Sequence, residues 1–259
     1  MYAVEKAVQV GAPAIELDVH ATADRKIVVC HDPTLERTTN ASGEICHWTL
    51  AELQQLDNAY WFLPGEDAQP GRPEESYPLR GRAPGDHRFG IATLEEILRD
   101  FPGTILNLDI KRTAPEVEPY EELLADLLRE YEHTEDVIVA SFDDTATDAF
   151  SRYAPEIPTS AGTTATAEFF HGVHAGTPAP ESVTRHVALQ VPATYGEITV
   201  VDDVFVAGAH AAGLAVHVWT INERDEMEGL LDLGVDGIIS DVPSVLVKVL
   251  DERGVAWRR

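Results

Sequence analysis

Residues 15–39 read IELDVHATADRKIVVCHDPTLERTT, two short apolar runs flanking a polar turn, with Glu16 and Asp18 inside the first run and His31 directly after the second. Side chains alternate across a strand, so Glu16 and Asp18 share one face while Ile15, Leu17 and Val19 share the other. Two carboxylates about 7 Å apart on one face repel each other, which calls for positive charge between them. The intervening ATADRK is a turn. With Asp24 and Arg25 at its centre, Ala23 pairs Lys26 and, counting back along the ladder, Asp18 pairs His31. That register sets an imidazole beside two acids.

On either side of this stretch, apolar runs bounded by turn residues alternate with amphipathic segments, the pattern of parallel βα units. Strands are expected at TILNLDIK (104–111), DVIVASF (136–142), TSAGT (159–163), ALQVP (188–192), AVHVWTI (215–221) and GIIS (237–240). Helices are expected at YAVEKAVQVG (2–11), TLAELQQLD (49–57), ATLEEILRDF (92–101), PYEELLADLLREY (119–131), DDTATDAFSRYAP (143–155), VDDVFVAGAHAAG (201–213) and RDEMEGLLDLG (224–234). Thr93 followed three residues on by Glu96 is a capping box. Residues 61–89, rich in Pro, Gly, charge and aromatic rings, read as an excursion loop at about 60–90 packed over one mouth of a single domain spanning 1–259.

A 259-residue chain with 44% hydrophobic residues has ample material for a core. Its formal charge of −26 comes from 45 acids against 19 lysines and arginines, and only Lys6, Lys26, Lys111 and Lys248 are lysines. Such a surface repels nucleic acid and anionic lipid. The reading is a solvation adaptation to a salt-rich cytoplasm, where self-repulsion is screened. Melting temperature is therefore expected to rise as KCl goes from about 0.1 M, where the Debye length is about 10 Å, toward about 1 M, where it is about 3 Å. A flat or falling curve overturns that reading. No apolar run approaches the roughly 20 residues of a membrane span, and the N-terminus has no signal-peptide pattern, so the expectation is a soluble cytoplasmic protein. Cys30 and Cys46 show neither CxxC spacing nor a Cys/His cluster, which supports free thiols rather than structural zinc.

In ILNLDIK, Asp109 and Lys111 share a strand face. Glu16, Asp18 and Asp109 are hard oxygen donors suited to Mg²⁺ or Ca²⁺. A divalent ion, a lysine and an imidazole together suggest phosphoryl chemistry, with His31 moving a proton. The plain alternative, solvated acids edging the mouth of a barrel, stays open from spacing alone.

The same residues resemble the glycerophosphodiester phosphodiesterases. GAPAIELDVHATADRKIVVCHDPTLERTT is similar to that family's Glu-x-Asp-Val, Thr-x-Asp-Gly and Val-Val-x-His-Asp run and the Leu-x-Arg-Thr-Thr after it. ATLEEIL, LNLDIK, VIVASFD, VHVWTIN and GVDGIISDVP follow in the family's order. The resemblance implies a TIM-type (β/α)₈ barrel that releases sn-glycerol 3-phosphate and an alcohol from glycerophosphodiesters. It makes Glu16, Asp18 and Asp109 metal ligands, His31 one of two acid/base histidines, and Lys111 a phosphate contact. Trp219 would wall the glycerol pocket, with Phe142 near its mouth. His20, His171, His174, His186, His210 and His217 have no family counterpart and read as surface or packing residues.

There are two departures from the family. Asp109 stands where the family has Glu, one methylene shorter. The family's first strand, with its His-Arg-Gly and Pro-Glu-Asn-Thr, has no counterpart in this chain. The expectation is a barrel lacking its first strand in this chain, with exposed edges on IELDV and GIIS, and with weak turnover because His31 stands without the second histidine. A natural start upstream of Met1 is the preferred explanation, and a truncated or degenerate copy with an open barrel and little catalysis is the other. A phospholipase-like phosphodiesterase, or a non-catalytic barrel that binds metal or phosphodiester, remain the alternatives.

Overall fold

Residues 15–29 form the hairpin of β1 (Ala14–Ala21) and β2 (Ile27–Val29) in a computed structural model that describes residues 1–83, 85–111 and 118–255. The remaining strands are β3 (Ile105–Ile110), β4 (Val137–Ala140), β5 (Ser160–Ala161), β6 (Ala188–Pro192), β7 (Thr194–Tyr195), β8 (Ile198–Thr199), β9 (Ala215–Trp219) and β10 (Gly237–Ile238). Two half-sheets run β2-β1-β3-β4 and β10-β9-β6-β5. They meet where Val139 bridges Thr159 in parallel and donates its N–H to the Pro158 carbonyl at 2.9 Å.

Along this ribbon β1, β3, β4, β5, β6, β9 and β10 are all parallel, and β2 alone is antiparallel to its neighbour. The helices α1 (Tyr2–Val10), α2 (Leu50–Leu53), α3 (Leu94–Asp100), α4 (Glu121–Glu130), α5 (Asp144–Tyr153), α6 (Thr163–His174), α7 (Glu181–Thr184), α8 (Asp203–Ala211), α9 (Arg224–Leu233) and α10 (Pro243–Arg253) alternate with them. This is the TIM-type α/β barrel class. Among the described residues no strand pairs the outer edge of β1 over Ala14–Asp18 or that of β10, and α1 packs against α10.

The alternation expected of β1 holds: Ile15, Leu17 and Val19 are buried against the helices with Leu108, Leu124, Leu128 and Phe150, while Glu16 and Asp18 face the other way. Its pairing with β2 differs from expectation. Val19 opposes Val29 and Ala21 opposes Ile27, one residue away from the predicted register, so Cys30 rather than His31 lies across from Asp18. The cause is the turn. Arg25 takes φ 59° and donates its N–H to Thr22, giving a three-residue loop in which a type I turn is followed by a left-handed residue. A two-residue loop would need positive φ at both Asp24 and Arg25.

The interior of the barrel is polar at mid-height. Asn107 of β3 and Gln190 of β6 exchange amide hydrogen bonds at 3.1 and 3.0 Å, joining the two half-sheets through the core. Each amide spends a donor and an acceptor on the other, which offsets the cost of burying both. His217 of β9 lies beside Gln190 and fits over Gly237, where a Cβ would come within 2.8 Å of the ring.

Among the described residues of 60–90 the helical segments are two short 3₁₀ turns, Glu74–Ser76 and His87–Phe89, set among hydrogen-bonded turns. Their organising centre is Arg80, whose guanidinium lies 4.3, 4.6 and 4.0 Å from the ring centres of Tyr60, Trp61 and Tyr77. Phe89 meets Tyr2 at 5.1 Å, docking the segment onto the start of α1.

His186, read from sequence as surface or packing, is 4% exposed. Arg185 Nε donates to its Nε2 at 3.1 Å, so the ring proton sits on Nδ1 and faces Thr159 Oγ1 at 2.8 Å. Burial, and then the Arg185 charge, push this imidazole down to about 4 from 6.5. The unfolded chain therefore holds the proton more readily between those values. Stability from this residue is complete above about pH 6.5 and lost as pH falls toward 4. Urea titrations should show a loss of about 1–3 kcal/mol across that window, and His186→Gln should lose less. Equal losses in the two proteins would show that His186 is not the group responsible.

Candidate active site

β1 and β3 run parallel with Asp18 directly beside Asp109, so both carboxylates project from adjacent strands into the same space. Lys111 follows one residue after β3 and its side chain, 12% exposed, turns back between them. Its Nζ is 2.8 Å from Asp18 Oδ1 and 2.7 Å from Asp109 Oδ2. The positive charge expected between Glu16 and Asp18 thus stands between Asp18 and Asp109 instead. Burial alone would lower Lys111, but the two carboxylates outweigh it and hold its ammonium above the ordinary lysine range.

Glu16 is one side-chain repeat deeper on β1. Burial, followed by the charges of Asp18 and Asp109, pushes its carboxyl up to about 8, with Asp241 adding and Lys111 opposing. Asp109 is also raised, by burial first, against the pull of Lys111. Its Oδ1 is buried without a hydrogen-bond partner. Asp241, just past β10 and tied to Asn222 Nδ2 at 3.0 Å, was not among the residues expected from sequence, although SDVP lies in one of the segments matched to the family.

An unpaired buried carboxylate oxygen and a surplus of acids over one lysine are the chemistry of a site for a hard divalent cation, and Glu16, Asp18 and Asp109 are donors of that kind, with Lys111 Nζ standing between two of them. The three do not make a group of ligand atoms mutually within 4.8 Å. Among the described residues that arrangement occurs at Glu44, Cys46 and His47, which corrects the expectation that Cys46 has no such neighbours.

His31 leaves the ladder at Cys30 and is exposed, with 68% of its side chain open to solvent. Its Nδ1 is 2.7 Å from Asp32 Oδ1, and Arg37 holds the same carboxylate with Nε at 2.6 Å and Nη2 at 3.0 Å. Burial would raise Asp32, but the hydrogen bonds from Arg37 and His31 keep its carboxyl below the ordinary range. A carboxylate only accepts, so Nδ1 carries the ring proton and Nε2 presents its lone pair outward. Asp32 and Arg37 are functional candidates missed by residue-type reasoning. The signal was present in HDPTLERTT, where acid and base stand five residues apart.

Trp219 ends β9, and its indole meets the Phe142 ring edge-on at 5.4 Å. Lys111 Nζ is 5.2 Å from the Phe142 ring centre, and Phe142 is 50% exposed. The aromatic pair therefore borders the acid–lysine cluster at the C-terminal ends of the strands, the face where barrels of this class assemble their sites. Of the other histidines, His20 is buried and His217 half-buried on strands, and His174 and His210 pair with Asp202 and Asp236 at the surface.

A model of the glycerophosphoryl diester phosphodiesterase family matches residues 1–245. The chain is 30% identical to a glycerophosphodiester phosphodiesterase of Bacillus subtilis over 257 residues, covering 95% of this chain and 79% of that protein. It is 28% identical to a glycerophosphodiester phosphodiesterase of Caldanaerobacter subterraneus over 260 residues, covering 97% of this chain and 91% of that one. Among solved structures, it is similar to an Oleispira antarctica phosphodiesterase in complex with the product sn-glycerol-3-phosphate. There the TM-score is 0.69 and the identity 25%, over 96% of this chain and 90% of that one. A glycerophosphoryl diester phosphodiesterase domain from Mycobacterium tuberculosis shares the fold with a TM-score of 0.75 at 19% identity, over 95% of this chain and 91% of that one.

Proposed function

Because the chain belongs to the glycerophosphoryl diester phosphodiesterase family, we propose that it hydrolyses glycerophosphodiesters to sn-glycerol 3-phosphate and an alcohol at the Asp18–Asp109–Lys111 cluster. The observation that carries this reading is the buried, unpartnered Oδ1 of Asp109 in a carboxylate cluster bridged by Lys111. Glu16, Asp18 and Asp109 would hold Mg²⁺ or Ca²⁺, which when bound neutralises charge on the phosphate oxygens.

The chain's own residues supply the rest. Lys111 offers its ammonium to a non-bridging phosphate oxygen. Trp219 and Phe142 wall the glycerol and leave the alcohol side of the diester open to solvent. Nε2 of His31, with Nδ1–H committed to Asp32, takes the proton of the attacking hydroxyl, either the glycerol 2-hydroxyl or a water, while the leaving alkoxide, on the opposite side of phosphorus, takes its proton from water. Where the glycerol 2-hydroxyl attacks, the cyclic phosphate so formed is opened by a water that His31 deprotonates, giving sn-glycerol 3-phosphate. Asp32 offsets the positive charge this places on the ring.

The substrate is a small molecule, the chain acts as one unit with residues 60–90 as an accessory loop, and it works in a salt-rich cytoplasm. No described helix is long and apolar enough to cross a membrane. The test incubates the purified chain, with Mg²⁺ or Ca²⁺, against glycerophosphocholine, glycerophosphoethanolamine and glycerophosphoglycerol, reading sn-glycerol 3-phosphate release. Release from at least one diester, abolished by chelation, is expected. Binding without release would favour a non-catalytic barrel, and release from lysophospholipids alone would favour the lipid phosphodiesterase.

A further inference from the structure

We infer that Glu44, Cys46 and His47 form a second metal site, selective for zinc-like ions and separate from the oxygen-only cluster at Asp18 and Asp109. One ligand atom from each residue lies within 4.8 Å of the other two. Glu44 Oε2 is the hub, 3.7 Å from Cys46 Sγ and 3.7 Å from His47 Nδ1. A tetrahedral zinc ion with ordinary bond lengths has edges of about 3.6 Å between sulfur and oxygen and about 3.4 Å between nitrogen and oxygen. The two edges that meet at Glu44 Oε2 are therefore within a few tenths of an ångström of that polyhedron before any ion enters.

The backbone that presents these ligands is held in place. Residues Ile45–His47 form a single 3₁₀ turn whose Ile45 side chain is 1% exposed. Ile45 N–H bonds to Pro33 O at 2.9 Å, Glu44 pairs with Thr34 in an isolated bridge, and Trp48 O accepts from Ala23 N–H at 2.8 Å. The side chains remain reachable: Glu44 is 28% and His47 74% exposed. An ion can thus enter from solvent onto a fixed frame.

A thiolate, an imidazole and one carboxylate suit Zn²⁺ and other late first-row ions, and suit Mg²⁺ and Ca²⁺ poorly. On binding, the Cys46 thiol gives its proton to solvent and its sulfur bonds the metal. His47 contributes the Nδ1 lone pair with its proton on Nε2, and water completes the fourth position.

The experiment uses the reduced, metal-free full chain titrated with Co²⁺ and followed by absorption. A near-ultraviolet sulfur-to-cobalt band should grow to one equivalent, fade on adding Zn²⁺, and survive excess Mg²⁺. Cys46→Ser should remove the band and Cys30→Ser should leave it. His47→Ala and Glu44→Gln should each weaken Zn²⁺ competition at least about tenfold, since loss of a direct ligand costs no less than loss of an outer-shell partner. Absence of the band in the unaltered chain, or its persistence in Cys46→Ser, overturns the proposal. Cobalt at Glu16, Asp18 and Asp109 has no sulfur ligand, so the outcome is independent of whether the proposed hydrolysis holds.

Discussion

His31→Gln is expected to lower kcat for glycerophosphodiester hydrolysis by about 10²–10⁴-fold, the usual worth of a positioned proton-transfer group, while leaving the melting temperature nearly unchanged. Chemistry and stability separate at this residue because 68% of the side chain is open to solvent and its ring is held by the neighbouring Asp32 rather than by the core. KM should move little, since the ring meets the reacting hydroxyl rather than the bulk of the substrate. Asp32→Asn tests the orientation argument. An amide can donate to Nδ1, which favours the ring form with its proton on Nε2, the form that cannot act as a base. That variant should therefore lose kcat although His31 is intact, and Arg37, left without its carboxylate, should not restore it. If His31→Gln keeps full turnover, or loses turnover only in proportion to lost folded protein, His31 is not the proton carrier.

Much of this arrangement was legible because strand periodicity is strict. Glu16 and Asp18 share a face of β1, Asp109 and Lys111 share the same face of the neighbouring strand, and parallel pairing puts Asp18 beside Asp109. Local helix chemistry was equally readable: the Thr93–Glu96 capping box is formed on both sides, and Gly11 closes α1 at φ 93°. The helix expected over 49–57 shrinks to α2, Leu50–Leu53, because Leu56 and Asp57 turn inward toward the loop that follows. The hairpin register failed for a different reason. It depended on whether one residue or two would accept positive φ, a difference of local strain that the residue pattern does not encode.

The neighbourhoods that went unread arise from three-dimensional convergence. Asn107 and Gln190 are remote in sequence, and their reciprocal amide pair exists only once two half-sheets curve toward each other. Asp241 reaches the cluster from the last strand in the same way. Cys46 and His47 are adjacent in the chain, but it is the 3₁₀ turn that swings both onto Glu44. α6 and α10 were not expected from sequence: in TTATAEFFHGVH the apolar residues are few and scattered among threonines and histidines, and in PSVLVKVL they run close to continuous, so neither shows a clear 3.6-residue period.

Lys111→Met should be the most destabilising of these substitutions when divalent cations are absent. Asp18 and Asp109 are 13% and 10% exposed, and Lys111 Nζ bridges them. Removing one partner of a buried ion cluster leaves uncompensated charge, at a cost of about 3 kcal/mol or more. For a chain of this size that corresponds to a fall in Tm of about 6–12 °C, read in EDTA. The same loss opens the acids to a competitor. With the ammonium gone, a divalent ion meets three carboxylates and no opposing charge, so its binding should tighten relative to the unaltered chain. Saturating Mg²⁺ or Ca²⁺ at about 100 times Kd would return about 2.7 kcal/mol, bringing the variant close to its parent. Turnover should stay low in the rescued protein, because the ammonium that contacts phosphate is still missing. The unaltered chain should gain less Tm from the same addition, since Lys111 already neutralises part of the cluster. A variant that melts with its parent in EDTA, or that divalent ions do not rescue, would show that Glu16, Asp18 and Asp109 are not a cation site and that Lys111 is only a surface-proximal ion pair. Rescue of stability with unrescued turnover would separate the two roles proposed for this corner of the barrel, holding a cation and holding a phosphate.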